Sequence, residues 1–215
     1  MNTESKTQWM LLYPLWLRAW HWTNALLFII LLTCGFSLHF ADSGWTLVPF
    51  ATARTWHNLA GLALTVGYLV FVLRNWTSGN IRHYKPDWRG WSSRLLRQAH
   101  YYGVEIFQGA AHPFPVRREQ KFNPLQQLTY VCVVYLGLPT LIVTGLLLLR
   151  PELAPEAILG MAGLWLIAVV HYLAGVGLTV FLIMHIYLAT VGKTLTSDLK
   201  KMITGWEEVT LADPR

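Results

Sequence analysis

Residues 171–185 read HYLAGVGLTVFLIMH, an apolar run with a histidine at each end. Ionisable side chains in such a run are expensive in lipid and mark a functional site by default. Fourteen helical residues turn through about 1400°, which returns His185 to within roughly 40° of the face carrying His171. At 1.5 Å per residue the two lie about 21 Å apart along the axis. Against a hydrocarbon core of about 30 Å, one imidazole then sits near each membrane surface. Two more histidines match them in depth. His21 lies near the start of the first apolar run, at the level expected for His185, and His57 opens the second, at the level of His171. Two imidazole pairs result, one per leaflet. Imidazole is a common haem ligand, and an iron closed on both faces carries electrons without an open position for oxygen chemistry. The spacing therefore suits two stacked haems.

The elements that must position these pairs follow from composition. Of 215 residues, 54% are hydrophobic and only 13% charged, about half the charge of a soluble domain. Four stretches are long and apolar enough to span a bilayer, about 16–40, 57–74, 125–150 and 164–192. The expected fold is all-α and membrane-embedded: a four-helix bundle forming one domain over 1–215, with a surface helix in the loop 75–124. That helix is expected over Trp88 to Gln108, where aromatic, leucine and arginine residues alternate at helical spacing. Pro124 suits a first helical turn with Asn123 as its N-cap.

Charge orients the bundle. Arg74, Arg82, Lys85, Arg89, Arg94, Arg97, Arg117, Arg118 and Lys121 crowd the middle loop, and Lys193, Lys200 and Lys201 follow the last span. The positive-inside rule puts this loop and both termini in the cytoplasm. The net charge of +6 is thus topological and no sign of nucleic-acid binding. The first apolar run reads as a retained anchor, too long for a signal-peptide core. Cys34 and Cys132 lie in different spans and read as packing residues, and the absence of CxxCH excludes covalent haem attachment.

The remaining candidates have two readings each. His39, His83, His100 and His112 read as solvated or interfacial. Gly35, Gly61, Gly67, Gly145, Gly175 and Gly177 permit the approach of a flat macrocycle or of another helix. Arg18 and Arg54, three residues before His21 and His57, would neutralise haem propionates or snorkel to lipid phosphate.

The segments RAWHWTNALL, RTWHNLAGL, HYLAGVGLTVFLIMH and KFNPLQQLTY resemble those of the di-haem cytochrome b subunits of bacterial formate dehydrogenases, nickel–iron hydrogenases and thiosulfate reductases. The loop 81–115 is most similar to the thiosulfate-reductase branch. The resemblance implies a bacterial inner membrane and two non-covalent haems b, with His21 and His185 on the cytoplasmic-side iron and His57 and His171 on the periplasmic-side one. It also implies a quinone site at Asn123, with Gln126 and Gln127 nearby, although Asn123 reads equally as a helix cap. Its partners would be the lipid bilayer, the quinone pool and a periplasmic iron–sulfur or multihaem subunit, belonging in some cases to a molybdoenzyme. Quinol oxidation or quinone reduction would be the chain's own half-reaction. The alternatives are a free-standing quinol-linked cytochrome b and a haem-free transporter or scaffold that uses the histidines as a proton relay.

Overall fold

The computed structural model describes residues 7–85, 89–114, 121–191 and 194–210. Arg117, Arg118, Lys193 and Trp88 from the reading above lie outside them. Four helices are long and apolar enough to cross a membrane: α1 (Leu15–His39), α2 (Phe50–Thr77), a third span over Pro124–Leu149, and α6 (Gly163–Ala189). α1 packs along α2, and the third span packs along α6. Their outward faces are apolar and exposed, with Leu26, Ile29, Leu69, Val70, Val180 and Ile183 among them, as lipid contact requires.

The second helix begins at Phe50, seven residues before the expected His57. The polar residues Thr52, Arg54 and Thr55 lowered the apparent hydrophobicity of that turn without opposing helix formation. Pro49, immediately before the helix, supplies an extended start.

The third span comprises α4 (Pro124–Cys132), a π-helical turn (Val133–Gly137) and α5 (Leu138–Leu149). Pro139 cannot donate to the carbonyl four residues back and crowds it, and the widened turn absorbs this irregularity. Gly137 in that turn sits against α6: a Cβ there would be 3.0 Å from Leu178. Leu64, Leu138 and Leu178 form the buried mid-bundle core, and Leu17, Phe71, Tyr84, Phe122 and Val134 form a second core at one end.

That end carries a folded cap. The middle loop contributes α3 (Trp91–Gly103), which packs on α4, and a 3-10 turn over Glu105–Gln108, together matching the expected surface helix. Two segments far apart in sequence meet there too: β1 (Thr7–Leu11) pairs antiparallel with β4 (Trp206–Thr210), Leu11 opposite Trp206, after a short helix α7 (Ser197–Thr204). Gly205 turns the chain between α7 and β4 at φ +86°, and a Cβ on it would lie 2.5 Å from the Tyr13 carbonyl oxygen. Lys201 bridges Asp198 at 2.8 Å and the buried Glu207, and Trp22 Nε1 donates to the Met202 carbonyl at 2.9 Å. At the opposite end, a small hairpin of β2 (Ala157–Ile158) and β3 (Met161–Ala162) leads into α6. Below, the two ends are called the cap end and the hairpin end.

Candidate functional site

The four spans bring the histidines together in the expected two pairs. At the cap end, α1 and α6 hold His21 and His185 with ring centroids 6.0 Å apart and planes inclined at 59°. At the hairpin end, α2 and α6 hold His57 and His171 at 6.2 Å and 68°. At these inclinations the rings of a pair do not stack face to face. Two metal–imidazole bonds of about 2 Å each, plus the ring radii, require roughly 6 Å between centroids.

The surroundings sharpen the chemistry. Among the described residues no three His, Cys, Asp or Glu side chains converge as a metal cluster. Two imidazoles alone therefore suit a metal that brings its other ligands with it, as haem iron does. Glycines clear the rings: a Cβ at Gly35 would lie 3.4 Å from His57 Cε1, and one at Gly145 would lie 3.2 Å from His171 Cε1. Gly61 and Gly175, each one helical turn past a histidine of the hairpin-end pair, have no neighbouring heavy atom within 4 Å of a Cβ position, so a macrocycle there would meet backbone. Gly67 and Gly177 also have no neighbouring heavy atom within 4 Å of a Cβ position, but Gly177 is exposed on the outer face of α6, away from the histidines. At the cap end Phe181 stacks on His185, with centroids 5.6 Å apart. The donor set and its clearances fit two haems.

Chain residues 12–205 match the sequence pattern of the family described as Prokaryotic cytochrome b561. The chain belongs to that family. This cytochrome is 41% identical over 195 residues to "Putative cytochrome YdhU" of Escherichia coli K12, covering 91% of the chain and 73% of that protein. It is also 26% identical over 193 residues to "Formate dehydrogenase, nitrate-inducible, cytochrome b556(Fdn) subunit" of the same organism, covering 87% and 79% of the two chains. It is a multi-pass membrane cytochrome b that binds haem b and transfers electrons.

The other candidate residues of the cytochrome fall into place less simply. Asn123 is 5% exposed and forms a reciprocal cap: its Oδ1 accepts from Gln126 N–H at 2.9 Å while Gln126 Oε1 accepts from Asn123 N–H at 3.1 Å. Its Nδ2 donates to Tyr102 OH at 3.0 Å, and the buried Gln127 donates to the His83 carbonyl at 3.2 Å. Asn123 thus has both of its side-chain polar atoms in use within the protein, and Gln126 its Oε1. Arg18 commits its guanidinium to the carbonyls of Tyr13, at 3.0 Å, and Ile203, which ties α1 to the chain's end. Arg54 is exposed on α2, one turn before His57.

His83 corrects the expectation of a solvated side chain: it is 3% exposed. The middle loop packs against the bundle through a polar network, and this encloses His83. Asn75 donates to Tyr135 OH and Asn80 donates to Asn75 Oδ1, both at 2.7 Å, while Lys121 Nζ donates to Asn80 Oδ1 and to the Leu12 carbonyl. His112 is exposed, with its ring beside Tyr101 and Tyr102, and His100 is exposed and pairs with Glu105 at 3.3 Å. His39 stacks on Tyr172 at 4.3 Å at the hairpin end. Of the two cysteines, Cys34 is buried and Cys132 exposed.

A cavity of about 230 Å³ opens at the cap end, lined by Trp16, Asn80, Arg82, His83 and Lys121 among others. Burial, seconded by the nearby Arg82 charge, lowers the Lys121 ammonium to about 8. Sequence reading missed this group because its setting depends on contacts between the chain's first residues, the end of α2 and the start of α4.

Proposed function

We propose that this cytochrome is the di-haem membrane subunit of a larger oxidoreductase, moving electrons between the quinone pool and a redox partner on the periplasmic side. The observation that carries the reading is the pair of two-histidine clamps, 6.0 Å and 6.2 Å wide, at two levels of one bundle. His21 and His185 would hold one haem b, His57 and His171 the other. Haem b, when bound, supplies a reversible one-electron couple. The protein's part is to clamp, to bury and to orient. Gly35 and Gly145 let the hairpin-end rings approach the neighbouring helices, and Phe181 steadies His185.

The excess of basic residues on the cap-end loop supports a cytoplasmic cap and a periplasmic hairpin end in the inner membrane. Quinone exchange is assigned to the cap end, at the start of α4. There Asn123, Gln126 and Gln127 frame the site by fixing the helix start and the His83 loop. The adjoining cavity has room for a head group, with Arg82 and Lys121 as donors toward a quinone oxygen. Lys121 holds its proton loosely enough to exchange it near neutral pH, as two-proton quinone chemistry needs. Arg54, exposed beside His57, is assigned to a haem propionate; Arg18, tied to two carbonyls, keeps only its remaining donors for that role.

The loops at the hairpin end are short, so terminal chemistry belongs to a partner. An iron–sulfur or multihaem subunit docked there, as part of a molybdoenzyme assembly, fits both the topology and the formate dehydrogenase named for one relative. The test is haem content and quinol reduction in His21→Ala and His57→Ala. Each variant is expected to keep one haem, and His57→Ala to keep its quinol-reducible haem. Retention of both haems in either variant overturns the ligand assignment.

A further inference from the structure

Thr144 lies on α5 immediately before Gly145 and is 8% exposed. Its Oγ1 is 2.6 Å from the Thr140 carbonyl oxygen and 2.8 Å from His171 Nδ1. A hydroxyl has one proton, and a carbonyl oxygen only accepts. The Thr144 proton therefore goes to Thr140, and Thr144 Oγ1 meets His171 as an acceptor. It follows that His171 carries its ring proton on Nδ1, leaving the Nε2 lone pair for a metal.

His57, its partner across the pair, lacks this device. The segment before it on α1, Leu31-Leu32-Thr33-Cys34-Gly35, parallels Leu141-Ile142-Val143-Thr144-Gly145 on α5. In each, the glycine faces a histidine of the hairpin-end pair. Where α5 has Thr144, α1 has the buried Cys34, and among the described residues no side chain hydrogen-bonds His57 Nδ1.

We propose that Thr144 is a positioning residue that fixes the tautomer of His171 and makes it the more basic ligand of the hairpin-end haem, lowering that haem's reduction potential relative to a site with two unpartnered imidazoles. This rests on His171 being a haem ligand. A hydrogen bond accepted from Nδ1–H raises the basicity of Nε2 and fixes the ring's orientation. A more basic ligand favours the oxidised iron, so the threonine biases the direction in which electrons leave this end of the bundle.

The experiment is a potentiometric titration, followed optically, of the haem-loaded full chain as wild type, Thr144→Val, Thr144→Ala and Thr144→Ser. In the Val and Ala variants one of the two haem couples shifts about tenfold in its reduction equilibrium, roughly 59 mV to higher potential for one electron. The other couple stays in place, and Thr144→Ser keeps the wild-type value because it restores the acceptor. Unshifted couples in both Val and Ala, or a Ser variant that shifts as far as they do, overturn the role of Thr144. A His171→Ala control separates the two claims. Loss of one haem there, with no shift in the threonine variants, defeats this inference alone. Retention of both haems defeats the ligand assignment beneath it.

Discussion

Replacing Gly145 by valine tests the hairpin-end clamp through its packing. A Cβ at this position already lies 3.2 Å from His171 Cε1, tighter than ordinary contact, which begins near 3.4 Å. Alanine needs a shift of only a few tenths of an ångström, and a small ring rotation absorbs it. Valine adds methyl carbons about 1.5 Å further out, so on the ring side His171 must swing by an ångström or more. Overpacking of this kind costs about 1–3 kcal/mol. At 1.4 kcal/mol per tenfold, that is roughly 5- to 150-fold weaker retention of the haem held there. The assay is a pyridine haemochrome count on purified protein before and after incubation with excess haem-free apomyoglobin. Gly145→Val is expected to fall toward one haem per chain, Gly145→Ala to keep two, and Gly177→Val, whose Cβ position has no neighbour within 4 Å, also to keep two. Gly145→Val with both haems retained and unchanged spectra would refute the reasoning.

Three further outcomes are expected. Gly205→Ala forces a left-handed φ of +86° on a residue with a Cβ and drives that Cβ against the Tyr13 carbonyl; the β1–β4 clasp should open, which limited proteolysis reads as faster cleavage within the chain's ends. Asn123→Ala removes the reciprocal cap and should cost about 0.5–2 kcal/mol, whereas Asn123→Asp keeps the acceptor; lower thermal midpoints for Ala than for Asp in detergent check this, and equal midpoints would count against the cap. Lys121 should react with an amine-selective reagent with a midpoint near pH 8 in mass-spectrometric footprinting. Its folded-state value lies below the ordinary 10.5, so the unfolded chain binds more protons between these values and its contribution to stability rises with pH across that window.

The helices were legible because lipid imposes long apolar runs, and the histidine pairs were legible because 14 residues are nearly a whole number of helical turns. Helix ends were less so. The start of α2 was hidden by Thr52, Arg54 and Thr55, since a hydropathy reading marks where lipid contact ends and the helix continues past it. The cap was largely invisible: β1 pairs with β4 across almost the whole chain, and no local pattern announces so distant a partner. Burial of His83 depends on Asn75, Asn80, Gln127 and Lys121 converging from three segments. Thr144 leaves a faint trace, the parallel between its segment and that before Gly35, but the hydrogen bond that gives it meaning appears only once α5 and α6 are packed.

The central claim, that one bundle clamps two haems between paired histidines, is tested most directly by counting haem in the wild-type cytochrome. A pyridine haemochrome assay against quantified protein, with reduced-minus-oxidised and electron paramagnetic resonance spectra, should return two non-covalent haems b per chain, both low-spin with two imidazole ligands. One haem per chain would show that a pair does not bind as assigned, and none in protein made with ample haem supply would contradict the account as a whole.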